Sequence, residues 1–125
     1  MMTLSKPTVE FPGGEAPTDL VITDLVVGDG DEAVPGRQVV VHYVGVTFDG
    51  GEEFDASWNR GSPFTFPLGG GRVIQGWDEG VAGMKVGGRR QLIVPAKLAY
   101  GNRGAGGVIK PGDTLVFVVD LLEVR

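Results

Sequence analysis

The chain has no cysteine, a single histidine and no apolar run of membrane-spanning length. Without cysteine there are no disulfides and no thiolate chemistry, which is compatible with a cytosolic home. A His/Cys metal site has too few ligands to form. The lone His42 lies mid-strand between Val40 and Val44, so it reads as a half-exposed strand residue rather than as the base of a Ser-His-Asp triad. No stretch fits a signal h-region or a membrane span. Positive charge is also scarce: 11 Lys and Arg against 16 Asp and Glu give a net charge of −5. That balance argues against non-specific binding to nucleic acid or to an anionic membrane. Phosphate-binding loops are no better supported. Gly28 to Ala33 fits the dinucleotide fingerprint only loosely, and Asp29, Asp31 and Glu32 would repel a pyrophosphate. Gly69 to Gly71 and Gly101 to Gly107 lack the Lys-Ser/Thr ending of a phosphate loop. Asp29 and Asp31 lack the remaining ligands of a calcium loop.

What is present is a globular composition. With 125 residues, 42% of them hydrophobic, the chain is one domain with a real core. Its 22 glycines imply many turns and sites where a bulky side chain would not fit. Met1 to Pro17, with Val9 and Phe11 as its only apolar anchors, reads as an extended arm, partly ordered at best. Leu20 to Val27 reads as a strand, and Arg37 to Phe48 as a second. In the second, Val39, Val41 and Tyr43 point to one face and Val40, His42 and Val44 to the other. Asp49-Gly50-Gly51 is a hairpin-type turn into extended Glu52 to Asp55. Ala56 to Pro63 reads as a loop. Phe64, Phe66 and Leu68 alternate along a short strand that Pro67 marks as an edge or a bulge. Arg89 to Val94 and Thr114 to Val124 complete the strands, separated by a long glycine-rich loop from Ala96 to Gly112. About five strands with mainly antiparallel connections and one good helix make an α+β domain, a sheet wrapped on one short helix. There is no internal repeat.

That helix carries the most telling segment, Val73-Ile74-Gln75-Gly76-Trp77-Asp78-Glu79-Gly80. Ile74, Trp77, Val81 and Met84 recur at spacings of 3, 4 and 3, one apolar helix face. Other aromatics are spread over the strands: Tyr43, Phe54, Phe64, Phe66 and Phe117. Phe66 and Leu115 read as plain core. Tyr43, Trp77 and Tyr100 each carry a polar atom that a dry core must satisfy. Tyr100 also sits in a glycine-rich loop, a poor place for a core anchor and a good one for a binding group. Asp55 either caps the following loop or faces a pocket and pairs with Arg60.

In order and spacing, the motifs Val41-His42-Tyr43-Val44-Gly45, Glu53-Phe54-Asp55-Ala56-Ser57, Pro63-Phe64-Thr65-Phe66, Val73 to Val81, Gly83 to Gly87, Leu98-Ala99-Tyr100-Gly101 and Leu115-Val116-Phe117 resemble the FKBP-type peptidyl-prolyl cis-trans isomerases. The resemblance runs from about Asp19 to Arg125 and places a flexible arm at 1–17 and an isomerase domain at 18–125. It implies a twisted, curved antiparallel sheet of five to six strands wrapped around one short helix. It also implies an apolar bowl between them, with Trp77 as floor. Tyr43, Asp55, Trp77, Tyr100 and Phe117 would be the catalytic set. Phe54, Arg60, Phe64, Val73, Ile74 and Ile109 would bind substrate, with Tyr100 and Ile109 on the overhanging loop. Two places depart from the family pattern: Ala105 stands where many relatives carry a histidine, and Trp58-Asn59 is variable ground. Trp58 is expected either as an extra contact or packed on Pro63.

The implied activity is rotation of Xaa-Pro bonds in proline-containing peptides and unfolded proteins, by a small bacterial-style enzyme that assists folding in the cytoplasm. No metal or cofactor is implied. Macrolides of the FK506 and rapamycin type would bind the same bowl, and neither nucleic acid nor membrane would be a partner. A monomer is expected. The rival reading is a non-catalytic module that holds proline-containing segments or a partner protein in the bowl. A third is a β-rich sugar- or nucleotide-binding domain.

Overall fold

The structure is a computed structural model that describes residues 5–10 and 13–125. Among these residues no helix is long and apolar enough to cross a membrane. The first strand is β1 (Val21–Val26), followed by β2 (Gln38–Thr47), β3 (Glu53–Ala56), the one-turn helix α1 (Ser57–Arg60) and β4 (Phe64–Pro67). Then come α2 (Gln75–Gly80), β5 (Arg89–Val94) and β6 (Leu115–Val124). The strands form one antiparallel six-stranded sheet in the order β1-β5-β6-β2-β3, with β4 also paired to β2. β3 takes Val44 to Val46 of β2, and β4 takes Gln38 to Val41, so one edge of β2 serves two short strands. As Pro67 suggests, β4 is paired on one side only.

Alternation along the long central strands sorts the core into two faces. Val39, Val41 and Tyr43 of β2, Leu92 and Val94 of β5, and Leu115, Phe117, Val119 and Leu121 of β6 share one cluster with Trp77 and Val81. Helix α2 lies on that inner face. The outer face carries a second cluster of Val44, Val46, Phe48, Ala56, Ile93 and Val116. The edge strand β1 is exposed along its whole length.

Of three register shifts, one lies on the exposed edge strand between Asp24 and Val26, and two break the alternation around the core. In β6, Glu123 faces Val40 and Leu121 faces Val41, which leaves Leu122 as the extra residue and turns it to solvent. In β3, Asp55 faces Gly45 and Glu53 faces Val46, which leaves Phe54 extra. Without that bulge Phe54 would share the outer face with Ala56.

Several elements differ from the sequence reading. Ala56 to Pro63 is not all loop. Ser57–Arg60 forms one helical turn, closed by Gly61 in the left-handed region at φ 68°. Buried Ser57 fixes that turn to β2, accepting from the Tyr43 amide at 2.7 Å and meeting His42 Nδ1 at 2.8 Å. Helix α2 is shorter than its apolar periodicity. Ile74 is its N-cap and Val81 its C-cap, and Met84 lies beyond, although it still packs in the inner cluster. The loop from Ala96 to Gly112 has structure of its own: a 3₁₀ turn at Ala96–Leu98 and a reciprocal pair of amide bonds between Ala105 and Ile109, at 2.9 and 3.1 Å. Trp58 is only partly exposed. It stacks on His42 at 4.1 Å and covers the outer cluster.

Part of the N-terminal arm crosses the outer face. Lys6 Nζ reaches Glu53 at 3.0 Å and Asn59 at 2.9 Å, Arg89 donates to the Ser5 carbonyl at 2.6 Å, and Val9 packs on the outer cluster. Phe11, expected as the other anchor, lies outside the described residues.

Candidate active site

A cavity of about 220 Å³ opens between α2 and the inner face of the sheet. It is lined by Tyr43, Phe54, Asp55, Phe64, Arg72, Val73, Ile74, Trp77, Tyr100 and Phe117. At ~30 Å³ per water this is room for several waters or one small ring. Each side of the cavity comes from a different element: Tyr43 from β2, Phe54 and Asp55 from the bulged β3, Phe64 from β4, Trp77 from α2 and Phe117 from β6.

Trp77 is 4% exposed and forms the floor. Its indole is wedged by near-perpendicular rings: Tyr43 at 4.8 Å and 79°, Phe117 at 5.4 Å and 84°, and Phe64 at 6.1 Å and 66°. Its buried Nε1 has no hydrogen-bond partner among the described residues.

Glycines set this packing. A Cβ on Gly76 would lie 2.4 Å from Val94 Cγ1, and one on Gly80 would lie 2.7 Å from Leu92 Cδ2. Only glycine lets α2 sit this low on β5. Gly45 plays the same part in the wall, where a Cβ would meet Phe54 Cζ at 2.6 Å and Phe117 Cε1 at 2.8 Å. The Phe54–Phe117 pair, 5.6 Å apart and edge-on, occupies the space that Gly45 leaves.

The polar edge is a closed triad. Tyr43 Oη donates to Asp55 Oδ2 at 2.5 Å, Arg60 Nη1 donates to Asp55 Oδ1 at 2.6 Å, and Arg60 Nη2 donates to Tyr43 Oη at 2.9 Å. The Arg60 guanidinium also lies over the Tyr43 ring at 5.6 Å. Of the two readings of Asp55, the structure takes the one that faces the pocket and pairs with Arg60. Burial, then the Asp55 hydrogen bond, push the Tyr43 phenol above its ordinary value. Tyr100 is half-exposed at the mouth, and burial followed by the Asp55 charge raises its phenol too. Neither phenol is thereby a base at neutral pH, and Asp55 is already engaged by two donors. The cavity therefore offers shape, aromatic faces and a few donors, with no poised nucleophile.

Nine of the eleven residues read from the sequence line the cavity; Arg60 and Ile109 do not. Arg60 reaches it through Asp55 and Tyr43. Ile109 is 7% exposed and belongs to the inner core, drawn there by its bonds to Ala105. Sequence reasoning missed Arg72, which lines the rim, and Asp78. The Asp78 carboxylate accepts from the Gly69 amide at 2.9 Å and the Gly71 amide at 3.0 Å, so it pins the glycine loop to α2. Gly45 was legible as a glycine in mid-strand, a sign of close approach. Nothing in the sequence marks Arg72 or Asp78.

An aromatic bowl whose polar edge is already hydrogen-bonded suits an uncharged ring. Comparison with known proteins makes the class specific. The family pattern described as FKBP-type peptidyl-prolyl cis-trans isomerase matches residues 30–122. An FK506-binding protein of Streptomyces anulatus is 65% identical over 124 residues, covering 98% of this chain and all of that protein. The peptidyl-prolyl cis-trans isomerase FPR2 of Saccharomyces cerevisiae is 55% identical over 94 residues, 75% of this chain and 70% of that one. The crystal structure of AtFKBP13 superposes with a TM-score of 0.79 at 42% identity, covering 88% of this chain and 96% of that chain. The chain belongs to the FKBP-type peptidyl-prolyl cis-trans isomerase family.

Proposed function

We propose that this chain accelerates rotation about Xaa-Pro bonds by holding the proline ring on Trp77 while the amide twists, and that it assists protein folding in this way. The observation that carries the proposal is the open cavity floored by a wedged indole, with every nearby carboxylate already bonded. X-Pro isomers differ by only about 0.5–1 kcal/mol, yet a barrier of ~18–20 kcal/mol separates them. That barrier is lost resonance. The twisted amide has a single-bond C–N and less carbonyl charge separation than the planar form, so water favours the planar form more. An apolar cavity removes that bias and binds the twisted state better than the ground state. No nucleophile or metal is required.

The roles follow from position. Trp77 supports the ring, Phe54, Phe64 and Phe117 wall it, and Tyr43 is locked by Asp55 and Arg60. The Tyr100 hydroxyl and the Ile74 amide, which has no partner among the described residues, face peptide carbonyls. Val73 closes the rim, and Ile109 supports the loop behind it. The same bowl would accept a macrolide of the FK506 type, in keeping with the name of the Streptomyces relative. A cytoplasmic monomer acting on unfolded chains fits the acidic, cysteine-free composition.

The test is a protease-coupled assay on an Xaa-Pro-Phe peptide. Wild type should speed isomerisation, and FK506 should abolish the effect. Trp77→Leu and Phe117→Ala should lose on the order of tenfold in kcat/KM, about 1.4 kcal/mol of transition-state stabilisation, and Tyr100→Phe should lose less. Peptide binding with no acceleration would replace the enzyme by a binding module.

A further inference from the structure

Arg72 is a cation at the bowl with no ion-pair partner among the described residues. Of the other six arginines, Arg37, Arg60, Arg89, Arg90 and Arg125 each donate to an oxygen of the protein, and Arg103, which makes no side-chain bond among the described residues, does not line the cavity. Arg72 lines the cavity and is exposed, and it makes no hydrogen bond or ion pair among the described residues. Among the described residues no carboxylate makes an ion pair with it, although Asp78 and Glu79, bonded to neutral donors, keep their charge. Asp55 is held by Tyr43 and Arg60, Asp78 by the amides of Gly69 and Gly71, and Glu79 by Gln75 at 2.6 Å.

The cation is also held in place from behind. The two Asp78 bonds tie the segment just before Arg72 to the helix that carries Trp77. The residues just after it, Val73 and Ile74, form the rim. The guanidinium therefore starts from a backbone fixed relative to the indole, beside a low-dielectric cavity. Arg60 cannot share its role, because its charge is matched by Asp55.

We infer that Arg72 is a specificity-determining residue that selects an acidic side chain close to the proline in the bound peptide. This rests on the proline-binding role of the bowl. A carboxylate on the peptide can form an ion pair with Arg72 that no described protein carboxylate already occupies, and a lysine at the same place meets repulsion. At a separation of about 5 Å in a mostly aqueous dielectric, the two effects together amount to roughly tenfold between Glu and Lys at low salt.

The experiment uses the full chain and peptides with Ala, Glu or Lys in turn at each of the two positions before and after proline. Exchange is read by NMR, so no protease preference enters. At one position at least, kcat/KM should favour Glu over Lys by roughly tenfold at low ionic strength, with the ratio shrinking markedly by about 0.5 M salt. Within each variant the same ratio is taken again. Arg72→Ala should bring it near one, and Arg72→Glu should invert it. A wild-type ratio near one at every position, or a ratio that survives in Arg72→Ala, overturns the inference. If no peptide at all is accelerated, the isomerase reading has failed instead. The Glu-to-Lys ratio is then taken from peptide dissociation constants, with the same outcomes deciding.

Discussion

Gly76 and Gly80 stand one helical turn apart on the face of α2 that meets β5, and the whole bowl depends on how low they let the helix sit. In Gly76→Ala the new methyl would lie 2.4 Å from Val94 Cγ1, 3.1 Å from Cγ2 and 3.3 Å from Cβ. Carbon atoms normally rest about 3.5–4.0 Å apart, so something must move by roughly 1 Å. Val94 is fully buried and β-branched, which leaves its χ1 little freedom to swing aside. The helix must lift. Overpacking of this kind costs about 1–3 kcal/mol, and the gain in helix propensity returns at most about 1 kcal/mol. The variant should therefore be less stable by about 1–2 kcal/mol. Val94→Ala alone deletes two buried methyl groups and leaves a cavity, at about 2–3 kcal/mol. In the double variant the Gly76→Ala methyl enters the space that Val94 vacates. Urea unfolding should then find it no less stable than Val94→Ala alone, a coupling at least as large as the cost of Gly76→Ala, about 1–2 kcal/mol. Because Gly76 precedes Trp77, isomerase kcat/KM should fall in the single variant and recover in the double. Gly80→Ala is the milder control, because it meets the mobile methyl ends of Leu92. Energies that add to within about 0.5 kcal/mol would mean that the two residues do not share this contact, and the account of the low helix would be wrong.

Gly45→Ala should push apart the edge-on Phe54 and Phe117 rings, which its Cβ would meet at 2.6 and 2.8 Å. A loss of peptide or macrolide affinity larger than the loss of stability is expected, and equal losses by calorimetry and unfolding would count against the wall assignment. His42 carries a pH dependence. Burial lowers its pKa below the ordinary 6.5, with the Asp120 charge opposing. The folded chain then binds fewer protons than the unfolded one, so stability should be full above about pH 6.5 and decline as the pH falls toward the folded pKa. As this is the only histidine, a one-site NMR titration at or above 6.5 would refute the sign.

The long strands were legible because their period-2 pattern separates two buried faces. Val39, Val41 and Tyr43, and likewise Leu115, Phe117, Val119 and Leu121, fall on the face that alternation assigns. The bulge at Phe54 was not legible. Alternation forbids Phe54 and Asp55 from facing one cavity together, and only the Gly45–Val46 register shift permits it. The extent of α2 was misjudged because an apolar spacing reports burial, not hydrogen bonding. Val81 and Met84 keep the period and stay buried after the helix has ended. The α1 turn is set by Ser57, whose hydroxyl bonds across to β2 fourteen residues earlier, a long-range tie with no local signature. Arg72 was missed for a related reason: a surface arginine is ordinary until it is known to line the cavity without an ion-pair partner among the described residues.

The two tryptophans show what makes the floor of the bowl a site. Trp58 and Trp77 both bury an indole N–H without a partner among the described residues, which costs about 1–3 kcal/mol for each donor left unpaired. The unpaired donor therefore cannot by itself mark function. What differs is the other side of the ring. Trp58 is stacked on His42 and closed against the outer cluster, so its aromatic face is used up in folding. Trp77 is held edgewise by Tyr43, Phe64 and Phe117 and still lines an open cavity. A platform fixed by perpendicular neighbours needs no rearrangement when a proline ring arrives, so binding energy is not spent on ordering the site. It remains available for the one change that must occur, the turning of the amide.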